Sequence, residues 1–149
     1  MVDQAVAVRV VLDLASLVEG TDLVRYGIRF EMLGDDGQFG PPWLSVAGFR
    51  EPLASLHQLQ KTLGEVVAGK ARAVQHDSFE DGFCLSIEAV EGERVRVEWW
   101  IDLSHASRAL RLRSGMKGER QAGVRLHVDR PGLELFRQQV QRALLSLLS

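Results

Sequence analysis

The chain of 149 residues has one cysteine, one tyrosine, four prolines and no asparagine. The lone Cys84 has no internal partner for a disulfide, so the expected setting is reducing and cytoplasmic. The opening "MVDQAVAVRV" lacks a basic segment leading into an apolar run, and no secretory signal is expected. No uncharged apolar stretch approaches the roughly 20 residues of a membrane-spanning helix. Net charge is −2, which favours neither an acidic nor a basic partner.

Chemistry-bearing motifs are also scarce. There is no P-loop, no dinucleotide fingerprint and no metalloprotease motif. His57, His76, His105 and His127 do not pair at a zinc-binding spacing. No catalytic residue, metal or cofactor is therefore assigned. A chain of this length suits one domain and buries enough surface to fold without staples.

What is present is alternation. Val6, Val8, Val10, Leu12 and Leu14 share one parity, and Val24, Tyr26, Ile28, Phe30 and Met32 another such set. Period 2 marks half-buried strands. "LGDDGQFGPP" reads as a loop and "WLSVAGF" as a short third strand. Then the period changes. Leu53, Leu56, Leu59 and Leu63 recur at helical spacing, with Pro52 at the start and Gly69 past the end, so a helix is expected over 52–68. "ARAVQ" reads as a short strand. Alternation resumes at Phe83–Ala89 and Val95–Leu103, with further strands expected at Leu110–Leu112 and Val124–Val128. A second helix follows Asp129 and Pro131, with Leu133, Phe136, Val140 and Leu147 on one stripe. No internal repeat is seen. The expected fold is a single α+β domain: a mainly antiparallel sheet of about six or seven strands with two amphipathic helices packed on one face.

"RVRVEWWIDL", residues 94–103, poses the functional question. Trp99 shares parity with Val95, Val97 and Ile101 and belongs to the core. Trp100 shares parity with Arg94, Arg96, Glu98 and Asp102 and must face outward. The same parity collects Arg9, Arg25, Arg29, Arg111, Arg113, Arg125 and His127 on an outward face, with the acids Asp13, Glu31, Glu88, Glu98 and Asp102 among them. Tryptophan and arginine dominate binding hot spots, and arginine forms forked bonds and stacks on rings. Trp100, Arg94, Arg96, Glu98, Arg111, Arg113 and Arg125 are thus the candidate partner-binding residues. The competing reading is a solvated face of Arg–Glu cross-strand pairs, with Trp100 covered by a loop or by arginine stems.

Weaker signals lie elsewhere. "QHDSFED", residues 75–81, clusters His76, Asp77, Glu80 and Asp81. It is a polar turn or an acid–base or cation-holding group. His127 and Asp129 share a strand face. Cys84 lies on an outward parity without an evident cationic neighbour. "SGMKGERQAG" carries glycines and basic residues without matching a phosphate loop. Residues 108–130 hold Arg108, Arg111, Arg113, Lys117, Arg120, Arg125 and Arg130 against Glu119 and Asp129. That excess admits nucleic acid as an alternative partner, although the paired aromatics of an RNA-binding sheet platform are missing.

The segments "PLASLHQLQKTLGEVVAGKA", "GFCLSIEAVEGERVRVEWWIDL" and "VRLHVDRPGLELFRQQVQRALLSLL" follow an order that resembles the small bacterial immunity proteins of the WapI type and related single-domain families. The likeness is one of pattern and spans about residues 43–148. It implies a non-catalytic protein that binds and blocks a toxin domain, and it supplies no catalytic residues. A basic face departs from what an inhibitor of a basic nuclease would present.

Overall fold

The computed structural model describes residues 2–3, 8–34, 36–78, 83–102 and 121–148. The chain runs β1 (Val2–Asp3), β2 (Val8–Leu17), β3 (Leu23–Leu33), β4 (Phe39–Pro52), α1 (Leu53–Val67), β5 (Ala73–Asp77), β6 (Phe83–Ala89), β7 (Arg94–Asp102), β8 (Gln121–Asp129) and α2 (Arg130–Leu147). Among the described residues these strands make two four-stranded antiparallel sheets, each in chain order: β1-β2-β3-β4 and β5-β6-β7-β8. A meander followed by a helix thus occurs twice, although the sequence shows no repeat.

This corrects the expected single sheet of about six or seven strands. Alternation fixes which side of a strand is buried. It carries no information on which strand lies beside it. Here α1 carries the chain away after β4, and β5 begins a new sheet. The helices do not lie on one face of one sheet either. α1 touches β4 of the first sheet and β5 and β6 of the second, while α2 touches β2 and also β7 and β8. The two helices also pack on each other.

Both helices have legible ends. Pro52 is extended and precedes α1. Gly69, at φ +74°, takes the left-handed position past the last turn, where an L side chain is strained. In α2 the Asp129 side chain accepts from the Gly132 N–H at 2.7 Å, with Pro131 in the first turn, the arrangement expected from sequence. β4 is longer than "WLSVAGF". It takes in Phe39–Pro42 as well, with irregular pairing to β3 near Glu31 and again between Tyr26 and Ile28.

A shared core unites the halves. Trp99 is fully buried, with ring centroids 6.5 Å from Phe30, 5.4 Å from Phe83 and 6.4 Å from Phe136. Those rings come from the first sheet, the second sheet and α2. Leu56, Leu59, Leu63 and Val66 bury the inner stripe of α1 in the same core, and Leu133, Phe136, Val140 and Leu144 that of α2.

Candidate functional site

The ring of Trp100 lies on the outer face of the second sheet, over Gly123 of β8. The two residues are cross-strand partners. A Cβ at Gly123 would stand 2.7 Å from the indole Cε3 and Cζ3. Glycine is therefore what lets the ring settle on the backbone, the pairing by which aromatics shield glycines in strands. The indole Nε1–H donates to Glu98 Oε2 at 3.3 Å, and Trp100 remains 42% exposed. The adjacent tryptophans thus go to opposite places, Trp99 into the core and Trp100 onto the surface.

Around Trp100 the charges form a ladder. Arg96 bonds Glu88 and lies 3.7 Å from Glu98. Arg125 Nε donates to Glu98 Oε1 at 2.9 Å. The Trp100 hydrogen bond, followed by Arg125 and Arg96, holds the Glu98 carboxyl below the ordinary carboxylate range. A concavity of about 440 Å³ lies beside the ladder, over Ala73, Gln75 and Ser86 and bounded by Glu88, Arg96 and Glu98. A smaller one of about 170 Å³ lies between Trp100, Gly123 and Arg125.

The candidate residues divide as follows. Trp100, Arg94, Arg96, Glu98 and Arg125 share this one face, and Arg94 stands opposite Asp129. Arg111 and Arg113 lie outside the described residues, as do Glu80, Asp81, His105 and the strand expected at Leu110–Leu112. Arg9, Arg25 and Arg29 are not on this face, because they belong to the first sheet. Parity had grouped residues of two different sheets. Asp13 and Glu31 leave with those three, since they belong to the first sheet too. Its outward carboxylates on β5 to β8 are Asp77, Glu88, Glu98, Asp102 and Asp129. Its outward arginines are Arg94, Arg96 and Arg125. Among the described residues the four strands thus carry five outward carboxylates and three guanidiniums.

No family model, curated protein or solved structure matches the chain. The face is accordingly read from its own chemistry.

The first sheet uses its arginines differently. Glu31 is only 3% exposed. It accepts from Arg9 Nε at 3.0 Å and from Arg9 Nη2 on Oε2, and from Arg29 Nη1 on Oε1. Arg29 also grips Asp13 through a fork of Nε and Nη2. The Arg9 guanidinium lies 4.1 Å over the Phe39 ring. Arg9 and Arg29 are thus each engaged with an acid, and Arg9 with a ring as well.

A buried polar cluster escapes sequence reading. The Glu51 carboxylate is fully buried. Oε1 accepts from the Tyr26 hydroxyl, and Oε2 accepts from Ser55 Oγ at 2.6 Å and lies 3.2 Å from His76 Nε2. Burial, followed by the charge and hydrogen bond of Glu51, drives the Tyr26 hydroxyl far above its ordinary range. Three neighbours satisfy one carboxylate, as a buried acid requires. With no exposed surface it presents nothing to a substrate, and it acts as a tie between β3, β4 and α1 of the first half and β5 of the second. The available signal was parity. Glu51 follows Phe49 on the inward side of β4. His76, expected in a polar turn, lies instead on β5 and is 9% exposed.

The remaining candidates are inert or exposed. Burial, then Asp77, pushes the Cys84 thiol up to about 11, the opposite of an activated nucleophile. The Cys84 hydrogen bond, then that of Gln75, lowers the Asp77 carboxyl. His57 is exposed on α1. Among the described residues no group of three or more His, Cys, Asp or Glu side chains is placed to hold a metal ion. No helix among them is long and apolar enough to cross a membrane.

Proposed function

We propose that this is a non-catalytic protein-binding module, and that its contact surface is the outer face of the β5–β8 sheet. The observation that carries the reading is Trp100, a large ring held flat on a glycine and left 42% exposed beside a charged ladder. Exposed, preorganised tryptophans are the side chains on which binding energy concentrates. The most specific role is immunity-like, with the protein neutralising a cognate bacterial toxin by occupying its surface. The pattern resemblance supports that role. So does the excess of carboxylates over guanidiniums on the described strands of this face. Carboxylates on these strands favour a protein partner there over a nucleic acid.

The test is co-expression with polypeptides encoded beside its gene. An immunity role predicts that one of them arrests growth and that this protein restores it. Trp100→Ala combined with Asp77→Lys should abolish the rescue while the circular dichroism spectrum is retained. Full rescue by that variant would remove this face as the contact surface.

A further inference from the structure

We propose that the outward face of the Trp100 ring receives a cationic side chain, arginine or lysine, from the protein partner. The inference rests on the binding-face reading above and names the chemistry of what docks there.

The indole has two faces and an edge, and the sheet uses one face and the edge. The inner face lies on Gly123. The Nε1–H edge is turned to Glu98. What remains toward solvent is the outer face, the electron-rich side of the ring quadrupole. Tryptophan is the strongest aromatic receptor for a cation placed there.

The surroundings point the same way. Glu98 and Asp102 flank Trp100 at two residues' spacing along β7 and share its outward side. Asp77, Cys84, Trp100 and Gly123 form one cross-strand row, so Asp77 stands on that side two strands away. Asp77 accepts from Gln75 at 3.0 Å, and among the described residues no guanidinium or ammonium pairs with it. Arg125, which lines the small hollow beside the ring, directs its Nε to Glu98. An anion over the ring would meet its electron-rich face and the Asp77 carboxylate, whereas a cation would be drawn by both. The geometry selects the cation.

The probe is a hexaarginine peptide titrated into the full chain, with hexaglutamate and a short oligothymidylate as controls. The readout is the indole Nε1–H resonance of Trp100, assigned by its loss in Trp100→Phe. Hexaarginine should shift that resonance, with the affinity falling as salt is raised, and neither control should. Trp100→Leu keeps an apolar side chain but removes the quadrupole. It should weaken hexaarginine binding about 2- to 5-fold, the size of an exposed cation–π contact. Asp77→Asn, far from the packing of the ring, should weaken it less. A Trp100 resonance unmoved by hexaarginine, or moved by either polyanion, overturns the proposal. The two readings fail separately. If Trp100→Ala abolishes rescue of a toxic neighbour while hexaarginine leaves Trp100 unmoved, the contact face stands and the cation receptor falls. If hexaarginine moves Trp100 but Trp100→Ala still rescues, the receptor stands and the contact face falls.

Discussion

On the first sheet, Glu31 lies between Arg9 and Arg29 and keeps 3% of its surface. On the second, the side chain of Glu98 lies between Arg96, Arg125 and Trp100 and keeps 20%. The residue types are the same, yet the two networks do different work. The first is closed: its acid is sealed beneath two arginines, so it stabilises. The second is open: its charges are laid across a surface with a tryptophan resting on top, so it is available to another molecule. Arginines on a strand face say little by themselves. What separates structure from recognition is whether the acid at the centre of the network has been desolvated.

If that distinction holds, removing the central acid should cost very different amounts. Glu31→Ala strands two arginines around an emptied position. A fully buried pair broken this way loses about 3–5 kcal/mol. Arg9 and Arg29 keep more than a third of their side chains in water, so about 2 kcal/mol is expected. That is a fall of about 4–8 °C in Tm, read by calorimetry. A loss as small as that of an exposed ion pair would erase the contrast between the sheets.

Gly123→Ala tests the platform under Trp100. A methyl 2.7 Å from the ring cannot be accommodated in place, and the indole must lift. The expected cost is about 0.5–1 kcal/mol, the scale of a cross-strand pair, together with greater access of quencher to Trp100. A variant with unchanged fluorescence would mean that the ring does not lie on that glycine.

Glu98→Ala should have the smallest effect on stability, about 0.5 kcal/mol, because its partners remain solvated. Its pH signature sharpens the point. The Trp100 hydrogen bond, then Arg125 and Arg96, lowers the folded carboxyl below the unfolded one. The contribution of Glu98 is therefore complete above the ordinary carboxylate value, about 4.3, and is lost as pH falls through the lower folded value. Side-chain carboxyl resonances followed from pH 6 downward should show Glu98 titrating below that range. A midpoint above it would reverse the sign.

Much of this was legible in the residues. Period 2 put Trp99 inside and Trp100 outside, and the helical stripes, Gly69 and the Asp129 cap placed both helices. The partition into sheets was not legible. A strand carries its inside and outside in its own alternation, but its neighbours depend on where the chain returns. Arg9, Arg25 and Arg29 were therefore grouped with Trp100 although they lie on a different sheet. The Gly123 platform was hidden for the same reason. Pairing Trp100 with Gly123 requires the β7–β8 register, and 22 residues separate the two positions in the chain. Glu51 was masked by its type, since an acid on an inward parity reads as a strand end until Tyr26, Ser55 and His76 are seen to converge on it.

The central claim is that one of the paired tryptophans is open to solvent on the second sheet. Acrylamide quenching of the wild type against Trp100→Phe tests it most directly, with Trp43 and Trp99 present in both proteins. The account predicts a readily quenched component in the wild type that the variant lacks. Indistinguishable quenching would place Trp100 under cover and contradict both the open face and the binding role built on it.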